Sequence, residues 1–158
     1  HLETLTKVDI VGNQRLCEGV RSFLKDWSRG EKEKVKSYEG MLSYALEGKP
    51  ASSDLYVFRL CGRIIGLYIV GRLSEQACGL YCAITSRDYK GQTETLDVRT
   101  FNLLVHAGYR KVLIGGSENK GVFQYLRKFR CSLRSCDAHS VLYSTEREHG
   151  LVLDNLSD

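Results

Sequence analysis

Lys111-Val-Leu-Ile-Gly-Gly-Ser-Glu-Asn-Lys-Gly-Val-Phe-Gln-Tyr-Leu-Arg-Lys-Phe129 changes character once, and sharply. Val112 to Ile114 form an apolar, branched run of strand type, and Gly115 and Gly116 end it. Ser117 to Asn119 are helix-capping types, after which Val122, Phe123, Leu126 and Phe129 recur at helical spacing. A strand therefore gives way to a helix within a few residues. Such a junction offers free backbone N–H groups at the positive end of a helix dipole, which suits an anionic or carbonyl-bearing ligand. A tight turn without a ligand satisfies the same pattern, so the neighbouring segments must be read with it.

Upstream, Thr95, Val98, Phe101, Asn102 and Val105 predict a helix over 93–106, with Gly108 placed to end it. A polar patch, 86–92, separates that helix from three strand-like runs at 55–61, 64–73 and 77–85, which are joined by hairpin-length connections and predict an antiparallel meander. Within the middle run, Gly66 and Gly71 mark bulges or places of close backbone approach. Before the meander stand two helical patterns. In the first, Leu16, Val20, Phe23, Leu24 and Trp27 lie between a cap at Asn13 and a stop at Gly30; the second runs from Val35 to Leu46 and is broken by Gly48 and Pro50. Residues 7–12 alternate apolar and polar side chains and fit either a first strand or an unstructured lead-in. Downstream of Phe129, residues 140–145 predict a closing strand, and the acidic tail 146–158 is expected to be peripheral.

The 158 residues, 42% of them hydrophobic, suffice for one compact domain with one core. No run approaches the roughly 20 apolar residues of a membrane helix. The opening, His1-Leu-Glu-Thr, has no initiator Met and no secretory pattern, so the chain is expected to be a piece excised from a longer protein with further domains, and to be cytoplasmic. A net charge of +4, from 23 basic and 19 acidic residues, is too mild for a dedicated nucleic-acid binder. The basic residues nonetheless cluster: Arg110 and Lys111 precede the opening stretch, and Arg127, Lys128, Arg130 and Arg134 end or follow it. They form either a solvated helix end or a rim for phosphate or RNA. Cys61, Cys78 and Cys82 sit in or beside apolar runs as small hydrophobes, which fits a reducing compartment. Cys131, Cys136 and His139 lack a fourth ligand and a knuckle spacing, so no metal is expected.

The order of elements, from first strand through two helices, three meander strands, helix, strand, helix and strand, resembles the GCN5-related N-acetyltransferase (GNAT) fold over residues 7–145. Within that superfamily the chain is similar to the aminoacyl-transferring branch, the C-terminal domain of phosphatidylglycerol lysyltransferases and their Fem-type relatives. That likeness rests on Phe23-Leu-Lys-Asp-Trp27, Gly62-Arg-Ile-Ile-Gly-Leu-Tyr68, Gly115-Gly-Ser-Glu118 with Phe123, and Arg127-Lys128-Phe129. The resemblance implies a single α/β domain with a mixed central sheet, an antiparallel meander and helices on both faces.

It also implies a function: transfer of an acyl group from acyl-CoA or acetyl-CoA, or from an aminoacyl-tRNA, to an amine on a small molecule, lipid or peptide. The alternative is a catalytically inactive module of a larger protein that serves recognition or dimerisation. In the family, an Arg/Gln-x-x-Gly-x-Gly/Ala loop holds the coenzyme A pyrophosphate on backbone amides. Here the matching stretch makes Arg87, Lys90, Gly91, Gln92, Thr93 and Thr95 the cofactor-binding candidates, with Thr93 and Thr95 standing where small residues belong and Glu94 adding a negative charge. Tyr125 matches approximately the tyrosine that protonates a departing thiolate, and Glu118 is the candidate base or orienting carboxylate at a helix start. Tyr68, Arg72, Tyr81, Ser117 and Asn119 are the expected substrate contacts.

Overall fold

A computed structural model describes residues 1–28, 35–47, 53–86, 88, 90–114, 132–133 and 151–154. In chain order the elements are β1 (Leu2–Thr6), α1 (Lys7–Val11), α2 (Gln14–Ser28), α3 (Val35–Glu47), β2 (Ser53–Leu60), β3 (Arg63–Arg72), β4 (Ala77–Thr85), α4 (Gln92–His106), β5 (Lys111–Ile114), β6 (Ser132–Leu133) and β7 (Leu151–Asp154). The strands form one sheet in the order β1-β2-β3-β4-β5-β7-β6. All neighbours in it are antiparallel except the parallel pair β4–β5. The expected α/β architecture, a mixed sheet built on a β2–β3–β4 meander with helices on both faces, is the one observed.

Local chemistry explains most boundaries. Asn13 caps α2 by accepting the Leu16 N–H on Oδ1 at 3.1 Å. The β2–β3 hairpin turns on Cys61 and Gly62, both at positive φ (49° and 82°), the backbone shape whose twist suits a two-residue hairpin. Gly108, at φ 94°, follows the end of α4. Cross-strand partners Glu3 and Arg59 form an ion pair at 2.5 Å that fastens β1 to β2.

Two expectations need correcting. Residues 7–12 are not the first strand: β1 lies just before them, and Lys7–Val11 is a helix. The Asp9 carboxylate accepts the Thr6 N–H at 2.7 Å and the Thr6 hydroxyl at 2.9 Å, a local closure that starts a helical turn where alternation predicts extension. Nor is the tail wholly peripheral, because Leu151–Asp154 pairs antiparallel with β5 along its whole length and covers the edge that β5 would otherwise leave open. The helix expected in 115–129 and the strand expected at 140–145 lie outside the described residues.

Two apolar layers hold the sheet. On one face Ile10 of α1, Val20 and Leu24 of α2, and Leu42, Ala45 and Leu46 of α3 pack on Leu55, Val57, Leu67, Ile69, Cys82 and Ile84. On the other, Leu96 and Leu104 of α4 pack with Phe58, Tyr68, Val70, Cys78, Leu80 and Val112. Each large side chain so buried contributes about 1.5–3 kcal/mol relative to exposure. Within β4 the alternation reverses: Cys78 and Leu80 face α4, whereas Cys82 and Ile84 face α1–α3. The reversal occurs at Tyr81, an extra residue between the pairs Ile69↔Cys82 and Val70↔Leu80, and is therefore a β-bulge.

Candidate active site

Beyond that bulge β4 runs on past its described pairing with β5. β4 pairs with β5 only from Ala77 to Leu80, the last pair being Leu80↔Ile114. From Tyr81 to Thr85, β4 continues along β3 on one side and, among the described residues, has no neighbour on the other. An unpaired strand edge presents N–H and C=O groups that an extended, amide-bearing ligand can match. Tyr81 is half-exposed here. Its ring lies over Gly71 and Gly79, where an added Cβ would come within 2.1 Å and 2.7 Å of it, so a side chain at either position would displace the ring. The expectation that Gly71 marks a close approach is met by a side chain rather than by a backbone. At Gly66, an added Cβ would meet Leu96 Cδ1 at 2.6 Å, because α4 sits tightly on β3 there.

Beyond Thr85 the chain turns into α4, whose N-cap is Gly91 in the left-handed region at φ 78°. Open space surrounds its Cβ position, so backbone conformation and not crowding calls for glycine. Helical bonding begins with Thr95 N–H to Gly91 O at 3.1 Å, which leaves the N–H groups of Gln92, Thr93 and Glu94 without a helical acceptor. Gly91, the N-cap, has no side chain with which to cap them. The two threonines that depart from the small-residue pattern have hydroxyls bonded locally: Thr93 Oγ1 lies 2.7 Å from Thr85 Oγ1, and Thr95 Oγ1 donates to Gly91 O at 3.1 Å. Lys90 is exposed beside this turn.

Gln92 has a different job from the one its place in the loop suggests. Its side chain is buried, and Nε2 donates to Ile65 O at 3.0 Å, Ser86 Oγ at 2.8 Å and Ser86 O at 3.3 Å. The carboxamide thus pins the start of α4 to β3 and to the end of β4.

The expected substrate contacts separate. Tyr68 is wholly buried beneath α4 with its hydroxyl 2.5 Å from Asp97 Oδ1, so it belongs to the core and not to an open cleft. Arg72 pairs with Cys78 near the start of β4, at the end of the strand away from Tyr81–Thr85, and its Nε donates to the Tyr109 hydroxyl at 3.3 Å. Tyr109 in turn donates to Asp54 Oδ2 at 3.5 Å, and the bond to Tyr109 holds the Arg72 guanidinium above its usual pKa. Near this chain, burial first and the Asp54 charge second push both Tyr56 and Cys78 up to about 12. Of the three meander candidates only Tyr81 stands exposed on the part of β4 beyond its described pairing with β5. Arg87, Ser117, Glu118, Asn119 and Tyr125 lie outside the described residues.

Sequence reasoning missed a groove of about 670 Å³ on the α2 side of the same end of the sheet. Gly19, Ser22, Phe23, Asp26 and Trp27 form its α2 wall; the β2–β3 turn with Arg63, and the β4–α4 connection with Ser86 and Asp88, form the others. The signal was present as a stripe at helical spacing, 19, 22, 23, 26 and 27, in which a mid-helix glycine interrupts an otherwise core-like pattern.

The sequence matches no protein-family model, and no curated protein is similar enough to count as a relative. Solved structures are similar in fold. A putative acetyltransferase of the GNAT family from Desulfovibrio desulfuricans superposes with a TM-score of 0.67 at 13% identity, covering 96% of this chain and 94% of its own. The N-acetyltransferase PseH of Campylobacter jejuni gives 0.65 at 10% identity over 98% of both chains, and its complex with acetyl coenzyme A gives 0.61 at 9% identity over 98% of this chain and 99% of its own. These likenesses, together with the meander, the parallel β4–β5 pair and the helices on both faces, establish that the chain has the GNAT fold.

Proposed function

We propose that this protein is an N-acyltransferase that moves an acyl group from an acyl-coenzyme A to an amine. The observation that carries the reading is the continuity between the Tyr81–Thr85 stretch of β4, which has no second neighbour among the described residues, and the first turn of α4 behind Gly91. An extended thioester arm fits the first and a pyrophosphate the second, where N–H groups and the helix dipole favour negative charge and Lys90 adds a cation. The acetyl coenzyme A complex of the Campylobacter jejuni neighbour is consistent with such a donor.

In the reaction, the amine nitrogen attacks the thioester carbonyl carbon; a C–N bond forms, the C–S bond breaks, one proton leaves the nitrogen and the departing thiolate takes one up. Glu118 and Tyr125 are the residues we assign to these two proton movements. The finer reading, an aminoacyl-tRNA donor as in the Fem-type branch, would instead engage the basic residues from Arg110 to Arg134. The test is release of free thiol from acetyl-CoA in the presence of a panel of amines. Amine-dependent thiol release supports the proposal; binding of neither acetyl-CoA nor aminoacyl-tRNA sinks both donors and leaves a recognition module.

A further inference from the structure

We propose that Tyr81 sets the length of the acyl group this protein accepts, its ring filling a slot over Gly71 and Gly79 that a longer chain would otherwise occupy. The inference rests on the acyltransferase reading, whose donor it limits to short acyl groups.

Strand pairing decides where the acyl end of a donor must go. An arm anchored at the first turn of α4 and laid along β4 runs from Thr85 to Tyr81. At Leu80 that side of the strand is taken by β5, through the pair Leu80↔Ile114, so the acyl end has to leave the strand at the bulge. Two faces of the sheet are available to it. The α4 face is filled there, because Leu80, Val112 and Ile114 are buried in one packed layer.

The opposite face carries no side chain of its own at this point. Gly71 and Gly79 are cross-strand partners on it, since their neighbours Val70, Cys78 and Leu80 point to α4. Both lie under the ring of Tyr81. The three nearest described atoms to an added Cβ at Gly71 are Cε2, Cζ and Oη of that ring. Ile69 and Cys82, the next cross-strand pair on this face, are buried against the α1–α3 layer and close one end of the slot. Leu73 Cδ1, 3.4 Å from the Cβ position of Gly79, bounds the other. Two facing glycines forgo the cross-strand side-chain contact that ordinarily stabilises a sheet, and what they leave is a trough whose depth one residue controls. At 48% exposure that residue is a cover and not part of the core. With the ring in place, added methylenes of a longer acyl chain stay in water and gain nothing. With the ring removed they reach the trough, where each methylene taken out of water is worth about fourfold in affinity.

Calorimetric titration of the whole chain with acetyl-CoA, butyryl-CoA and hexanoyl-CoA tests this. The ratio of Kd values within one protein cancels the general effects of a substitution. In the native chain hexanoyl-CoA should bind no tighter than acetyl-CoA. Tyr81→Ala, its fold checked by melting, should bind hexanoyl-CoA at least about tenfold tighter than acetyl-CoA. Tyr81→Ala/Gly71→Leu refills the trough from its floor and should restore the native ratio; Gly71 is not at positive φ, so leucine meets no backbone strain there. Should Tyr81→Ala fail to fold, the native comparison and Tyr81→Leu, expected to favour butyryl-CoA, decide the matter. Tighter binding of hexanoyl-CoA than of acetyl-CoA by the native chain, or a ratio that substitution of Tyr81 leaves unmoved, overturns the inference and leaves the acyltransferase reading standing. Binding of none of the three by the native chain defeats that reading, and the inference with it.

Discussion

At the scale of single residues, two glycines carry the most weight, one for its conformation and one for its packing. Gly91→Ala places a Cβ on a backbone at φ 78° and should lower stability by about 1–2 kcal/mol, with weaker acetyl-CoA binding because the first turn of α4 relaxes. Chemical denaturation and a binding titration on the same variant check both parts. Gly66→Ala tests packing instead: the new methyl meets Leu96 Cδ1 at 2.6 Å, and a loss of about 1–3 kcal/mol is expected with donor binding retained. The cysteines give a third residue-scale expectation. Burial pushes the thiols of Cys78 and Cys82 up to about 12, whereas Cys61 is exposed in the hairpin turn. Mass mapping after brief alkylation of the native protein at neutral pH should find Cys61 modified, and Cys78 and Cys82 protected until unfolding.

At the scale of elements, the attachment of α4 is the sensitive joint. Gln92→Leu removes the carboxamide that bridges Ile65 and Ser86 and should cost about 1–3 kcal/mol, while faster amide exchange in the first turn of α4 distinguishes a loosened helix start from a general loss of stability. The elements also show what a sequence discloses. β4 is readable as an apolar run bounded by turn residues, and the span of α2 because helical periodicity and a capping Asn13 agree over many residues. β1 escapes because the Thr6–Asp9 closure overrides the apparent alternation of the residues after it. β7 escapes because Leu151–Asp154 is a short apolar run in an acidic tail, and its partner β5 lies far away in sequence. Of the candidate residues, Gly91 was readable as lying just before α4 and Tyr81 as lying on the third meander strand, but inward or outward orientation was not readable for Tyr68 and Gln92, since bulges at Ile65 and Tyr81 shift the alternation on which such a judgement depends.

At the scale of the molecule, the buried acids predict an alkaline limit to stability. Tyr56, Cys78 and Cys82 all have folded-state pKa values raised to about 12, above the values of an unfolded chain, so the folded state keeps protons that the unfolded state loses. Stability should therefore be independent of these groups at neutral pH and decline as pH climbs from about 9 toward 12, which denaturation midpoints across that range will show. The same whole-molecule measurement addresses the central claim, that the Tyr81–Thr85 stretch of β4 and the first turn of α4 together receive an acyl-coenzyme A. A ligand that binds only the folded chain, supplied at a hundredfold excess over its Kd, adds about 2.7 kcal/mol, which for a chain of this size raises the melting temperature by roughly 5–10 °C. Thermal unfolding with acetyl-CoA should show that rise, diminished in Gly91→Ala. A melting curve that acetyl-CoA leaves unmoved at millimolar concentration would contradict the account.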